Sequence, residues 1–377
     1  MRVLFIPSPG LSHILPTVPL AHALQAAGHH VRYAGGGDIH AVAEAGLCGV
    51  DASPGADYAK LFIPDETDGV DPMHSDEAGV ADLAAMFARV SGAVVNGALA
   101  FAKQWRPDLV VYTPTQGAGP LVAAALGIPC AELPLGPADG EEQLPSLIRA
   151  AMATDYERHA VGGSPGTRVR LMPMAPSIES LLPGPHTPGA WPVRYQPYNG
   201  GAILPEWLVE APARPRIAVT LGTIDARWGG IAQLAPFIEA AGSVEAEFVL
   251  TLGGGDEALL GKLPQNVRVI EWLPLGVLLE SCAGIIHHGG SGTIMTALVA
   301  GVPQCVIPQG SFQNIGRDVL VKRGIGFSTS SAQLGPAECR RLLEDDSMRE
   351  AARDAASEAA TMPPVADLVP RLVQLTR

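Results

Sequence analysis

The chain has 377 residues, 47% of them hydrophobic and 17% charged. That composition excludes disorder and suits two α/β domains better than one ordinary core. A net charge of −13 and a pI near 5.2 argue against nucleic acid or an anionic membrane as partner. No run of about eighteen consecutive apolar residues occurs, so no membrane span is expected. Cys48, Cys130, Cys282, Cys305 and Cys339 are dispersed without a CxxC pair, which suits small core residues in a reducing cytoplasm.

The opening "MRVLFIPSPG" reads as a first β-strand broken at Pro7, not as a signal peptide. The helical pattern "TVPLAHALQAAGHH" follows, then the strand "HHVRYAGG". Residues 54–81 form a long, acidic, turn-rich stretch of the kind that is functional or mobile in compact domains. Beyond it come the strand "PDLVVYTP", the helix "GPLVAAALGIP" ending at Gly127, and the strand "CAELPLG". Turn formers dominate residues 184–215, which read as a connection between two halves. The second half repeats the opening with "PRIAVTLGTID". The strands "EFVLTLGGGD", "VRVIEWLP", "AGIIHHGG" and "QCVIPQG" follow, separated by apolar helical runs. Alternating helices and near-continuous apolar strands imply parallel sheets covered on both faces.

The stretch "IIHHGGSGTIMTALVAGVPQCVIPQ" joins a buried strand to a helix through glycines. Such a junction presents unpaired backbone N–H groups at the positive end of a helix dipole, a combination that binds phosphate or carboxylate. Gly289, Gly290 and Gly292 allow close approach of an anion, Ser291 and Thr293 can add hydroxyl donors, and a histidine at the strand end can donate further. The spacing is neither GxGxxG nor a Walker loop. By itself it fits a tight turn with satisfied histidines equally well.

Together with "VTLGT" and "VRVIEWLPLGVLL" upstream, this stretch resembles the donor-binding half of family 1 glycosyltransferases. The branch it resembles most decorates natural products with dTDP-deoxysugars. The opening "MRVLFIPSPGLSHILPTVPLAHALQAAGHHVRYA" and the ending "MPPVADLVPRLVQL" resemble the two termini of the same family, whereas residues 136–200 carry little of the likeness. The resemblance implies a GT-B fold, two facing Rossmann-like domains with a cleft between them and a final helix crossing back. It places an acceptor domain at 1–200 completed by 361–377, a linker at 201–214 and a donor domain at 215–360. The implied activity is transfer of a deoxysugar from a dTDP-sugar, with inversion, to a hydrophobic aromatic or polyketide acceptor. No metal and no cofactor beyond the dTDP-sugar co-substrate is implied. Dimers are usual among such proteins and some need an activating partner protein, and no motif here decides either point.

Within that family pattern His287 matches the histidine that contacts the diphosphate, leaving His288 a structural role. Gly222 and Thr223 match small residues that approach the diphosphate, and Ser291, Gly292 and Thr293 supply amides at the helix start. Trp272 stands where an aromatic ring stacks on the nucleobase, though a buried core tryptophan is nearly as good an account. Leu275 replaces a glutamine common in UDP-sugar enzymes, a weak preference for thymine. Phe312 replaces the aspartate of an Asp-Gln pair that holds sugar hydroxyls. A hydroxyl buried against phenylalanine would go unsatisfied at a cost of about 1–3 kcal/mol. A deoxygenated donor sugar is therefore expected, with Gln313 holding a remaining hydroxyl, unless Phe312 points elsewhere.

His13, in the loop after the first strand, matches the family's catalytic general base, and imidazole is the natural choice near neutral pH. Thr113 stands where an aspartate usually orients that base, so either a hydroxyl orients it or the base is less activated. Phenolic, enolic or activated carbon acceptors would tolerate the latter, which leaves O- and C-glycosylation both open. Asp139 is an alternative base, or simply a solvated loop acid beside Glu141 and Glu142. Met86, Phe87, Leu144 and Leu147 are either core or the lining of an aromatic pocket. His74 and His159 lie on the acceptor side with nothing to select them. A dehydrogenase or epimerase would need a dinucleotide fingerprint and a Tyr-x-x-x-Lys pair, and neither occurs. A non-catalytic sugar-nucleotide-binding or accessory protein of the same fold is the remaining rival.

Overall fold

The computed structural model describes residues 1–62, 79–140, 143–162, 166–184, 187–223 and 230–377, without the side chains at 311 and 312. Most of the acidic stretch 54–81, His74, Glu141, Glu142 and the side chain of Phe312 thus lie outside the described residues.

Two units are present. The first comprises Met1–Met174, Pro183–Gln196 and Met362–Arg377, and the second Ala175–Leu182 and Pro197–Thr361. The chain passes between them at 196–197, not at 200, and the expected linker 201–214 groups with the second unit. The contacts of residues 199–208 explain why. Asn199 Oδ1 accepts a hydrogen bond from Gly276 N at 3.0 Å, and Leu208 joins the second unit's core. The Arg216 and Arg268 guanidinium groups lie 5.1 and 4.6 Å from the Trp207 ring centroid.

In the first unit the described strands are β1 (Arg2–Ile6), β2 (His30–Gly35), β3 (Gly49–Asp51), β4 (Leu109–Tyr112), β5 (Cys130–Glu132), β6 (Arg168–Met172) and β7 (Trp191–Pro192). They pair in parallel in the order β3-β2-β1-β4-β5-β6-β7. The apolar run Val3–Ile6 is wholly buried in the middle of this sheet. The second unit pairs β8 (Arg216–Thr220), β9 (Glu247–Thr251), β10 (Val267–Ile270), β11 (Gly284–His287), β12 (Gln304–Val306) and β13 (Gly326–Ser328) in the order β10-β9-β8-β11-β12-β13. These are the parallel, doubly covered α/β sheets that the strand–helix alternation implies.

One described helix, Val80–Trp105, is long and apolar enough to cross a membrane by length and composition, and 61% of its most apolar window is buried. It is a core helix, packed on the helices Ala118–Leu126 and Gln143–Ala151. It starts where Gly79 N donates to Asp82 Oδ2 at 3.0 Å and ends where Arg106 turns left-handed at φ 55°. Met86, Phe87 and Leu144 are buried in this packing.

Charge is also placed inside the first unit. The Glu132 carboxylate, at the end of β5, is fully buried. It accepts from Arg170 Nη1 at 2.8 Å, Tyr112 Oη at 3.0 Å and the Arg168 guanidinium. A buried carboxylate is tolerable only with such partners. The network ties β4, β5 and β6 together at the carboxyl end of the sheet.

Candidate active site

In the second unit, β8 and β11 are neighbours from which the chain departs in opposite directions, to β9 and β10 on one side and to β12 and β13 on the other. Open α/β sheets bind ligands beyond the carboxyl ends of the strands at such a point. The sequence-predicted donor residues all leave this edge. Gly222 and Thr223 follow β8, Trp272 and Leu275 follow β10, the stretch from His287 to Thr293 ends β11, and Gln313 follows β12.

The two histidines are not placed as expected. His287 is the last residue of β11 and has no exposed surface. Its Nε2 bonds Gln304 Oε1 at 3.0 Å and its Nδ1 accepts from Gly289 N at 3.1 Å, so no ring nitrogen is left for an anion. His287 is therefore the structural residue, which corrects its assignment to the diphosphate. The His288 ring instead lies across the crevice. A Cβ at Gly222 would come 2.7 Å from its Cε1, and one at Gly290 2.4 Å from its Nε2. Those two positions have room only for hydrogen, because the imidazole occupies the space between the β8 and β11 loops.

Behind His288 the helix Ser291–Ala300 begins without a side-chain cap. Its first described backbone bond runs from Ile294 N to Gly290 O at 3.0 Å. The N–H groups of Ser291, Gly292 and Thr293 thus precede the intrahelical ladder. Ser291 Oγ is enclosed and has no partner among the described residues. Imidazole, orphan amides and an uncommitted hydroxyl are groups able to hold an anion. On its β12 side, a Cβ at Gly289 would stand 3.3 Å from Gln313 Cβ, which places Gln313 against this loop. Trp272 keeps 40% of its surface exposed, so it is not a core tryptophan. Gly200 lies beside it, with its Cβ direction 3.6 Å from the indole Nε1.

Burial pushes the His287 imidazole down from 6.5 to about 3, against a smaller raising effect of Gln304. A histidine neutral in the folded protein but titrating normally when unfolded stabilises fully above about pH 6.5, and this is lost as pH falls toward 3. The expected slope is about 1.4 kcal/mol per pH unit for this one group. We expect His287→Asn to be less stable at neutral pH by about 1–3 kcal/mol. It should also lose less stability than the unsubstituted protein between neutral and mildly acid urea titrations. An unchanged pH dependence would show that His287 is not the group responsible.

In the first unit the switch point lies between β1 and β4. His13 follows β1, placed on the short helix Leu11–Ile14 and not in a loop. Its ring stands edge-on to Phe87 at 6.5 Å between centroids, and its Nδ1 is enclosed without a hydrogen-bond partner among the described residues. Burial lowers its pKa from 6.5 to about 4. Thr113 does not orient it. Thr113 Oγ1 accepts from Ser8 N at 3.0 Å, Ser8 Oγ bonds Thr115 Oγ1 at 2.8 Å, and Gln116 Nε2 donates to Pro7 O at 3.2 Å. The place expected for an orienting carboxylate is taken by buried hydroxyls and an amide that hold the end of β1 to the end of β4. Thr113 is thus not the hydroxyl that would orient the ring.

Asp139 is not a solvated loop acid. It is 5% exposed, its Oδ2 accepts from Leu135 N at 2.6 Å, and Arg170 donates to its carbonyl oxygen at 2.7 Å. Burial raises its carboxyl pKa to about 6, opposed by the Leu135 N–H and Arg170. Among the described residues no three His, Cys, Asp or Glu side chains converge as metal ligands would.

The placement of His287 and His288 had one legible signal. The strand "GIIH" runs in register with β8 and β12, pairing His287 with Thr220 and Val306, so the residue just past it is the first to leave the sheet.

Comparison with known proteins agrees with this architecture. Residues 22–222 match the family model "Erythromycin biosynthesis protein CIII-like, N-terminal domain", and residues 235–375 match its C-terminal counterpart. The elloramycin glycosyltransferase ElmGT of Streptomyces olivaceus is 39% identical over 383 residues, covering 99% of this chain and 97% of that protein. The crystal structure of the glycosyltransferase SnogD from Streptomyces nogalater is 64% identical, covers 100% of both chains and superposes with a TM-score of 0.92. Glycosyltransferase VinC in complex with dTDP is 29% identical, with a TM-score of 0.79 over 100% of this chain and 99% of that one. Two parallel α/β units, each with its polar loops at a switch point, and matches that span nearly the whole chain lead to one assignment: the chain belongs to the erythromycin biosynthesis protein CIII-like family, a bacterial natural-product branch of family 1 glycosyltransferases.

Proposed function

We propose that this glycosyltransferase moves a deoxysugar from a dTDP-sugar, with inversion, to a hydrophobic aromatic or polyketide acceptor. The carrying observation is the β8–β11 crevice, where the His288 imidazole, the amides at 291–293 and Ser291 Oγ surround a space suited to a diphosphate. Positive groups aimed at a departing diphosphate stabilise the charge that builds up as the glycosidic bond breaks. This supports leaving-group stabilisation by the protein itself, without a metal. Trp272 offers its exposed face to the nucleobase, and a dTDP complex of a structural neighbour supports the same nucleotide here. Phe312, standing in the sequence where the family's sugar-holding aspartate stands, favours a donor lacking a hydroxyl there.

His13 is the proposed base on the acceptor. Lacking a carboxylate partner, and with its pKa depressed by burial, it is a weak base suited to an acidic nucleophile such as a phenol or enol. The test is calorimetric titration of dTDP and UDP, followed by turnover of a dTDP-deoxysugar with phenolic polyketide acceptors. We expect tighter binding of dTDP than UDP and an inverted glycoside as product. Binding without product on any acceptor would identify a sugar-nucleotide-binding protein instead. Failure to bind either nucleotide would refute the crevice assignment.

A further inference from the structure

Three glutamines on the second unit form a chain of hydrogen bonds whose direction is set by chemistry alone. Gln309 N is a backbone donor, so the atom of Gln313 that meets it at 2.5 Å must be the acceptor Oε1. Ile307 O is an acceptor, so the atom of Gln309 that meets it at 3.1 Å must be the amide Nε2. The other side of the Gln309 amide is then Oε1, which accepts from Gln233 Nε2 at 3.1 Å, while Gln309 Nε2 donates to Gln233 Oε1 at 3.0 Å. No amide in this chain can be turned over without setting donor against donor or acceptor against acceptor.

The consequence falls on Gln313. Its side chain is 8% exposed and its Oε1 is committed, while its Nε2 has no hydrogen bond among the described residues. It stands against Gly289, at the rim of the proposed diphosphate site. The Gln233–Gln309 pair spans from the short 3-10 helix Gly230–Leu234, downstream of the β8 loop, to the loop after β12. It therefore braces the segment that carries Gln313.

We infer that Gln233 and Gln309 are positioning residues that hold the Gln313 amide with its nitrogen outward, so that the donor-sugar group meeting Gln313 is a hydrogen-bond acceptor, such as a hydroxyl oxygen. This rests on the reading of the crevice as the donor site. Gln313 touches the sugar, while Gln233 and Gln309 act only through it. Selection is for an oxygen presented to an N–H donor, and a carboxamide held this way rejects a group that can only donate.

The experiment compares calorimetric affinities for dTDP and dTDP-rhamnose in the full-length protein and its variants. Gln313→Glu keeps the acceptor toward Gln309 N and removes the outward donor. It should weaken dTDP-rhamnose about tenfold more than it weakens dTDP, the effect of one hydrogen bond to the sugar, since any repulsion of the diphosphate by the new charge is common to both ligands. Gln233→Glu sets a carboxylate oxygen against Gln309 Oε1 and should weaken dTDP-rhamnose similarly, again beyond any effect on dTDP. A carboxylic acid restores the missing donor when protonated, so the Gln233→Glu defect should shrink as pH falls, which simple loss of packing would not produce. Equal losses for both ligands, no loss for either, or a Gln233→Glu defect independent of pH overturns the strut. If the unsubstituted protein binds no dTDP, it is the donor-site reading itself that fails.

Discussion

Replacing His13 by alanine is expected to lower kcat about 10²–10⁴-fold, the usual worth of a positioned general base, while leaving dTDP affinity unchanged. The residue stands past the end of β1 at the switch point of the first unit, with a pKa depressed to about 4 by burial. It is therefore neutral, and able to take a proton, throughout the neutral range. Its contribution to kcat/KM should be flat down to about pH 5 and fall as the imidazole protonates through about 4. An ordinary histidine would give the same limb near 6.5. Because Thr113 is bonded to Ser8 N and not to the ring, Thr113→Val should cost stability more than it costs kcat. The loss in His13→Ala should shrink with more acidic phenols, which need less help to ionise. A variant that keeps more than a tenth of the original kcat on every acceptor would remove His13 from the mechanism.

The second large effect is expected on the donor side. His288→Ala should weaken dTDP about ten- to hundredfold, the loss of one hydrogen bond to a charged group. Gly290→Ala should do nearly as much without touching the imidazole chemically. Its new Cβ would stand 2.4 Å from His288 Nε2 and force the ring out of the crevice. His287→Asn, by contrast, should bind dTDP almost normally while being less stable, since both nitrogens of His287 serve the fold. Calorimetry on the three variants separates the roles. Normal dTDP affinity in His288→Ala together with lost affinity in a folded His287→Asn would restore the assignment that the geometry reverses.

Much of the architecture was legible in the linear chain, and the reason is burial on both faces of a parallel sheet. Runs such as "RVLFI", "LVVY" and "GIIH" have no competing explanation once turn formers bound them, and each is a central strand. The strands missed were β3, β6, β7 and β13, which are edge or next-to-edge strands. Three of them have only two or three residues, and β6 carries two arginines. Edge strands bury less and so need less apolar sequence. Residues 201–214 were misread as a free linker because glycine and proline advertise turns. The contacts of Asn199, Trp207 and Leu208 that tie the stretch to the second unit involve residues far away in sequence.

The sequence by itself determined the parallel α/β class and a strand–glycine–helix junction able to receive an anion, while the candidate base after the first strand rested on the family resemblance. The first two are local matters, read from periodicity, backbone freedom and the unpaired amides of a helix start. Tertiary structure alone decided which of two adjacent histidines faces the crevice, since that depends on where β11 ends and on Gln304 across the sheet. It also decided that Asp139 is buried near Arg170 and that Thr113 is spent on Ser8. The direction of the Gln313 amide is likewise set by the Gln309 N–H, and that of the Gln309 amide by Ile307 O. Each of these is a question of which partner satisfies a polar group once water is excluded. The answer comes from residues brought together by the sheets and not from neighbours along the chain.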